Sequence, residues 1–400
     1  MPESRYVRAE LNPLLPELKP YHDRYHAELY DRVLPFWLKH APDPEFGGIF
    51  TCLDREGAVY DTRKYVWMNG RAAWTFARLY NSVEKRPEWL ELSKSCIQFL
   101  RKHAYSVGGH IYFSLTREGK PAFEQRKPYA AVFLALGLLE YAAATGDVTC
   151  RNEGVTLFHR VCDWVSSPSA LGRPSYGPPM SQLADIMVIA LLAMEIVKFD
   201  SSRRYTNWLD WCLNAVKAHY EPGRRILFEN ALPQDGGFRN TPEGRFLCPG
   251  SMIEVAWFLL EVEKLRPDAA LRQMLFDVIE GALEIGWDRE YGGLFYFMDS
   301  ECKPMLQLEA PMKLWWPHTE ALYGLILAYT ETRDPRWLGW LEKVDAYAFS
   351  HFADPEHGEW FGYCDRGGKL THTLKGNNYK GAFHVPRFLL FSLQAMEAAH

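Results

Sequence analysis

One phrase recurs along the chain: turn residues, one or two glycines, an aromatic residue, then a second turn rich in Asp, Arg, Glu and Gly. It reads DPEFGGIFTCLD at Asp43–Asp54, GGHIYFSLTREG at Gly108–Gly119, DREYGGLFYFMD at Asp288–Asp299 and DPEHGEWFGYCD at Asp354–Asp365. GRRILFENALPQD at Gly223–Asp235 is a weaker copy, and LGRPSY at Leu171–Tyr176 is a degenerate one. With Gly48, Gly109, Gly172, Gly223, Gly293 and Glu359 as markers, the phrase returns at about every sixth of the 400-residue chain. The intervening segments carry helical periodicity, as in Val66–Tyr80, Tyr129–Ala144, Met187–Phe199, Met252–Leu265 and Thr319–Thr332. Each interval has room for two helices of ordinary length and a short hairpin. A helical pair cannot bury both of its faces alone, so six such units must stack. The spacing therefore predicts an all-α chain, residues 1–400 as one domain. Its architecture is an (α/α)6 barrel, a six-hairpin toroid with short β-hairpins in the connecting loops. An open superhelix of helical pairs is the competing arrangement, and the hairpins are longer than its simple turns require.

Composition narrows the partners. A formal charge of -5 and a pI near 6.2, with Lys and Arg scattered among acids, give no basic stripe for nucleic acid. Met1–Tyr6 shows no apolar leader, and the longest greasy run, Met187–Val197, is too short to span a bilayer, so a cytoplasmic location without membrane contact is expected. The eight cysteines are widely spread without Cys-x-x-Cys or Cys/His ligand spacing, which predicts reduced, mostly buried thiols and no metal. Gly47-Gly48 and Gly292-Gly293 lack the spacing of phosphate loops.

Six ordered stretches are more specific: Gly47–Trp74, Gly244–Glu261 (GRFLCPGSMIEVAWFLLE), Gly286–Asp299, Gln307–Leu322 (QLEAPMKLWWPHTEAL), Asp354–Leu370 and Lys380–Leu389 (KGAFHVPRFL). In order, spacing and wording they resemble the N-acylglucosamine 2-epimerase (renin-binding protein) family across nearly the whole chain. The resemblance implies an (α/α)6 barrel and inversion at C2 of an open-chain aldose, such as N-acetylglucosamine to N-acetylmannosamine, by proton removal alpha to C1. That chemistry needs an acid/base group on each face of a planar enediolate and a group to hold charge on O1. By the same resemblance His384 matches one catalytic histidine, Arg71 and Glu309 match an arginine and a glutamate of the site, and Glu254 matches the acid after the second histidine. That second histidine is replaced by Ser251. A serine hydroxyl does not titrate near neutrality, so the replacement implies weakened epimerisation, with aldose–ketose isomerisation easier to sustain. Asn69 and Ala310 also depart from the family wording. No cofactor is implied; a nucleotide effector that is not consumed and a homodimer are compatible with the resemblance.

The same residues have plainer readings. Ser251 and Glu254, three apart before an apolar run, spell a capping box. His384 precedes Val385-Pro386 at an expected helix start and could be structural. Arg71 could anchor an internal salt bridge with Glu309. His318, after Trp315-Trp316-Pro317, is either a second acid/base or a hydrogen-bonded wall residue. Trp67, Trp316 and Trp360, with Asn69, are the residues expected to line a sugar pocket, since aromatic rings pair with sugar C–H faces. Beside the isomerase stand two other functions: a silent sugar- or protein-binding member of the family, and a carbohydrate hydrolase using Glu254 and Glu309 as its carboxylate pair.

Overall fold

The computed structural model describes residues 14–167, 180–232 and 239–399. The readings made on Met1–Tyr6 and on Leu171–Tyr176 lie outside the described residues. The helices are α1 (Lys19–Ala27), continued through a π turn at Glu28–Val33 into α2 (Leu34–His40), then α3 (Val66–Ser82), α4 (Pro87–His103), α5 (Tyr129–Thr145), α6 (Val148–Ser166), α7 (Leu183–Val197) and α8 (Arg203–Ala215). A one-turn α9 (Pro242–Arg245) precedes α10 (Pro249–Glu263), α11 (Ala269–Gly286), α12 (Trp315–Thr332), α13 (Arg336–His351) and α14 (His384–Ala398). Local signals set their ends. Pro87 opens α4 and Arg101, Lys102 and His103 close it, Asp147 caps α6 through the Thr149 and Cys150 amides, and Gly146 ends α5 at φ +75°.

Packing sorts the helices into two rings. The inner ring runs α3, α5, α7, α10, α12, α14 and closes where α14 meets α3. The outer helices α4, α6, α8, α11 and α13 fill the grooves between them, and α1 and the π turn pack on α14. Sequence accounts for the division. Inner helices such as α5 and α12 are apolar on nearly every face, whereas outer α8 buries one stripe, Tyr205, Leu209, Cys212 and Leu213. Inner helices can approach closely where a side chain is missing: a Cβ on Gly70 of α3 would lie 2.3 Å from the Phe133 carbonyl oxygen of α5. The fold is an (α/α)6 barrel.

The recurrent phrases form short hairpins at one end of the barrel, and neighbouring units pair through two-residue strands just ahead of inner helices. Lys64–Tyr65 pairs with Ser114–Leu115, Phe246–Leu247 with Met298–Asp299, and Lys313–Leu314 with Tyr363–Cys364. A repeated charge triad ties these hairpins together. The leading aspartate of a phrase meets a buried lysine of its own unit and an arginine of the next: Asp43 with Lys64 (2.8 Å) and Arg117 (3.0 Å), Asp288 with Lys313 (3.0 Å) and Arg366 (2.9 Å), Asp354 with Lys375 (2.8 Å) and Arg55 (2.8 Å). Because Arg55 belongs to the first hairpin and Asp354 to the last, the third triad closes the ring. Burial pushes these aspartates upward, but the two cations outweigh it and hold each well below the usual carboxylate range. Asp354→Ala would strand Lys375, which is fully buried, without its counter-charge; a loss of about 3–5 kcal/mol is expected in urea unfolding at neutral pH. The sign with pH follows from the depressed aspartates: the stabilisation is complete above their unfolded value of 3.8 and fades as acid reaches the lower folded values. The gap between wild type and variant should narrow accordingly in acid.

Candidate active site

At the hairpin end of the barrel the first two turns of the inner helices converge on a buried charge cluster. His384 is the first residue of α14, and Arg387 follows one turn later on the same face. Arg387 Nη2 donates to Glu254 Oε1 of α10 and to Glu320 Oε1 of α12, each at 2.7 Å. Glu320 also receives Trp257 Nε1 at 3.0 Å, and His384 Nδ1 lies 2.8 Å from Glu320 Oε1. Glu254, Glu320, His384 and Arg387 are all buried. With Nδ1–H donating to Glu320, the imidazole is fixed in one tautomer and its Nε2, which makes no hydrogen bond among the described residues, is the free lone pair. Burial, then the Arg387 and Arg71 cations, hold His384 well below the usual histidine range, so the ring is neutral at pH 7. Burial raises Glu254 and Glu320, and for Glu254 the charge of Glu320 adds to it, against the pull of Arg387.

Arg71 of α3 approaches the same cluster. Its guanidinium lies over Phe133 (4.0 Å), Trp67 (4.9 Å) and Phe383 (4.9 Å), its Nε is buried without a hydrogen bond, and it forms no ion pair among the described residues. Burial lowers it to about 9, which still leaves it a cation at neutral pH. Trp316 stands beside this cluster, its ring 6.0 Å from that of His384. It packs on Gly250 so closely that a Cβ there would come within 2.7 Å of the indole.

Other expected site residues go elsewhere. His318 is fully buried with Nδ1 on the Leu314 carbonyl (2.6 Å) and Nε2 taking the Leu294 amide (2.9 Å). Both nitrogens are committed, so it is the hydrogen-bonded wall residue and not a second acid/base. Asn69 spends its amide on the Ile49 and Tyr65 backbone, and Trp360 is enclosed in the core with Nε1 on Glu28, so neither lines a pocket. Glu309 is exposed on the loop before α12 and is not the partner of Arg71. Nor do Ser251 and Glu254 make a capping box: α10 starts at Pro249 after Cys248, and Glu254 turns inward to Arg387. Trp67 is half-buried, its Nε1 on the Asn378 carbonyl.

Sequence reasoning passed over Glu320, Arg387 and Glu229, although each lies inside a quoted phrase. For Arg387 the signal was available: His384 and Arg387 are three apart at a helix start and so share a face. Glu254, Glu320 and His384 place ligand atoms within 4.8 Å of one another, a spacing a metal ion could use. Arg387 Nη2 already occupies the point where the two carboxylates meet. Dialysis against a chelator is therefore expected to leave activity and stability unchanged; a loss reversed by adding a divalent metal would overturn this.

The family model for N-acylglucosamine 2-epimerase matches residues 48–385. The chain belongs to the N-acylglucosamine 2-epimerase family. An N-acylglucosamine 2-epimerase of Bos taurus is 40% identical over 382 residues, covering 93% of this chain and 90% of its own. Among solved structures, a cellobiose 2-epimerase from Bacillus thermoamylovorans superposes with a TM-score of 0.80 at 19% identity, over 94% of this chain and 99% of its own. A D-mannose isomerase superposes at 0.78 and 18% identity, over 96% and 100%. At those identities the two structures speak for the barrel alone. None of the helices among the described residues is long and apolar enough to cross a membrane.

Proposed function

We propose that this family member inverts C2 of an open-chain N-acylhexosamine, converting N-acetylglucosamine and N-acetylmannosamine into one another. The observation that carries the reading is the His384–Glu320 pair: a neutral imidazole with one nitrogen anchored and the other free, in a buried cluster. Such a nitrogen suits removal of the C2 proton, which the neighbouring C1 aldehyde acidifies. The electrons that leave C2 gather on O1 in the enediolate, and Arg71, half-buried and without an ion pair among the described residues, is the cation that can hold them. Return of a proton to the opposite face of C2 completes inversion, with no net change in the atoms of the sugar.

The substrate class is taken from the Bos taurus relative and supported by the match along 93% of the chain. The hydrolase reading loses support because Glu309, the carboxylate it pairs with Glu254, is exposed on the loop before α12. Proton NMR of each sugar in deuterated water with the purified protein tests the proposal. Appearance of the second epimer with deuterium at C2 is expected; neither inversion nor exchange with either sugar would refute it.

A further inference from the structure

Inversion needs a proton donor on the face of the enediolate opposite His384, and the residues around the cluster can be taken in turn. Ser251 is half-buried in the first turn of α10, but a hydroxyl holds its proton at neutral pH. His318 has both nitrogens bound to backbone, and Glu254 and Glu320 are tied to Arg387. Glu309 is exposed. Glu229 remains. Its backbone is clamped between two inner helices, its carbonyl taking the Leu183 amide at the start of α7 and its amide donating to Phe246, just ahead of α10. Its side chain lies against the Ser251 hydroxyl and within reach of the Glu254 charge, and its Oε1 is buried without a hydrogen bond among the described residues.

We infer that Glu229 is a catalytic residue, the second acid/base of the C2 reaction, with Ser251 as the positioning residue that orients its carboxyl group. The inference rests on the C2 reading proposed above. In one direction His384 Nε2 removes the C2 proton and the Glu229 carboxylic acid gives its proton to the other face of the enediolate; in the reverse direction the carboxylate removes the proton and the imidazolium returns one. One proton is shared between the two groups in either direction, so no further reactant is needed. The surroundings suit the role. Burial first, then repulsion from Glu254, lift Glu229 to about 7 against the opposing effect of Ser251, which leaves both protonation states accessible at neutral pH.

Glu229→Gln in the full-length protein, assayed with N-acetylglucosamine and N-acetylmannosamine in deuterated water, separates this role from a structural one. Inversion should fall about a hundred- to ten-thousand-fold in both directions. C2 exchange without inversion should persist for one epimer only, the one whose proton faces His384, and His384→Asn should show the complementary pattern. Wild-type kcat/KM should carry an alkaline limb near pH 7, where the acid form of Glu229 is lost, and Glu229→Asp should recover part of the rate. Inversion by Glu229→Gln at the wild-type rate, or loss of exchange from both epimers in a folded variant, would overturn the assignment while leaving the C2 reading intact. A wild-type protein that neither inverts nor exchanges either sugar would remove both.

Discussion

His384→Asn is expected to lower the rate of C2 inversion by about a hundred- to ten-thousand-fold while the barrel stays folded. The asparagine amide can keep the position of Nδ1 and its hydrogen bond to Glu320, so what is removed is mainly the free nitrogen. Far-ultraviolet circular dichroism and urea unfolding should change little, and the loss should fall on kcat more than on KM. The pH dependence supplies a second check. Burial and the neighbouring Arg387 and Arg71 cations keep the wild-type imidazole neutral well below 6.5. The acid limb of kcat/KM that reports on His384 should therefore lie below the ordinary histidine range. A variant that inverts C2 at the wild-type rate would show that the proton is moved elsewhere.

Arg387→Met should be the most destabilising single change at the site, costing about 3–5 kcal/mol at neutral pH. Arg387 is 3% exposed and bridges two buried carboxylates, so its loss leaves Glu254 and Glu320 facing each other without a cation between them. Both are already raised above 4.5, by burial and, for Glu254, by the charge of Glu320; removal of Arg387 raises them further. A carboxylate whose folded value lies above its unfolded one contributes most below the unfolded value and loses that contribution as pH rises through the folded one. The deficit of the variant should thus be largest at pH 8 and shrink toward pH 5 in urea unfolding. Activity should fall as well, because Glu320 would no longer be fixed to hold the tautomer of His384. Equal deficits at both pH values would mean that the carboxylates are not charged in the wild type.

Much of the barrel was legible because its signals are local. Gly48 and Gly293 sit at φ +71° and +74°, turns that a side chain strains, and this kept the phrase visible along the chain. Glu359 occupies the equivalent place at φ +47°, and its strain is offset by an anchored side chain, with Lys380 Nζ on Oε1 at 2.7 Å. His384 could be placed at a helix start from the proline two residues later, and Ser251 and Glu254 from their motif. Which side chain faces the axis was harder. His318 and Glu320 are two residues apart on α12, about 200° around a helix of 3.6 residues per turn, so only one of them can point inward. In a helix apolar on nearly every face, periodicity does not say which.

The sequence by itself determined the elements: six helical pairs, the hairpins joining them and the family wording that carries His384, Arg71 and Glu254. Backbone preference and hydrophobic period act over a few residues and are written where they act. Only the tertiary structure decided the partners. It set Asp354 against Arg55 across the ring, Arg387 between Glu254 and Glu320, and Glu229 beside Ser251. Buried charges must find counter-charges or share protons wherever the closed ring brings them together, and that meeting depends on the rotation of each inner helix about its own axis.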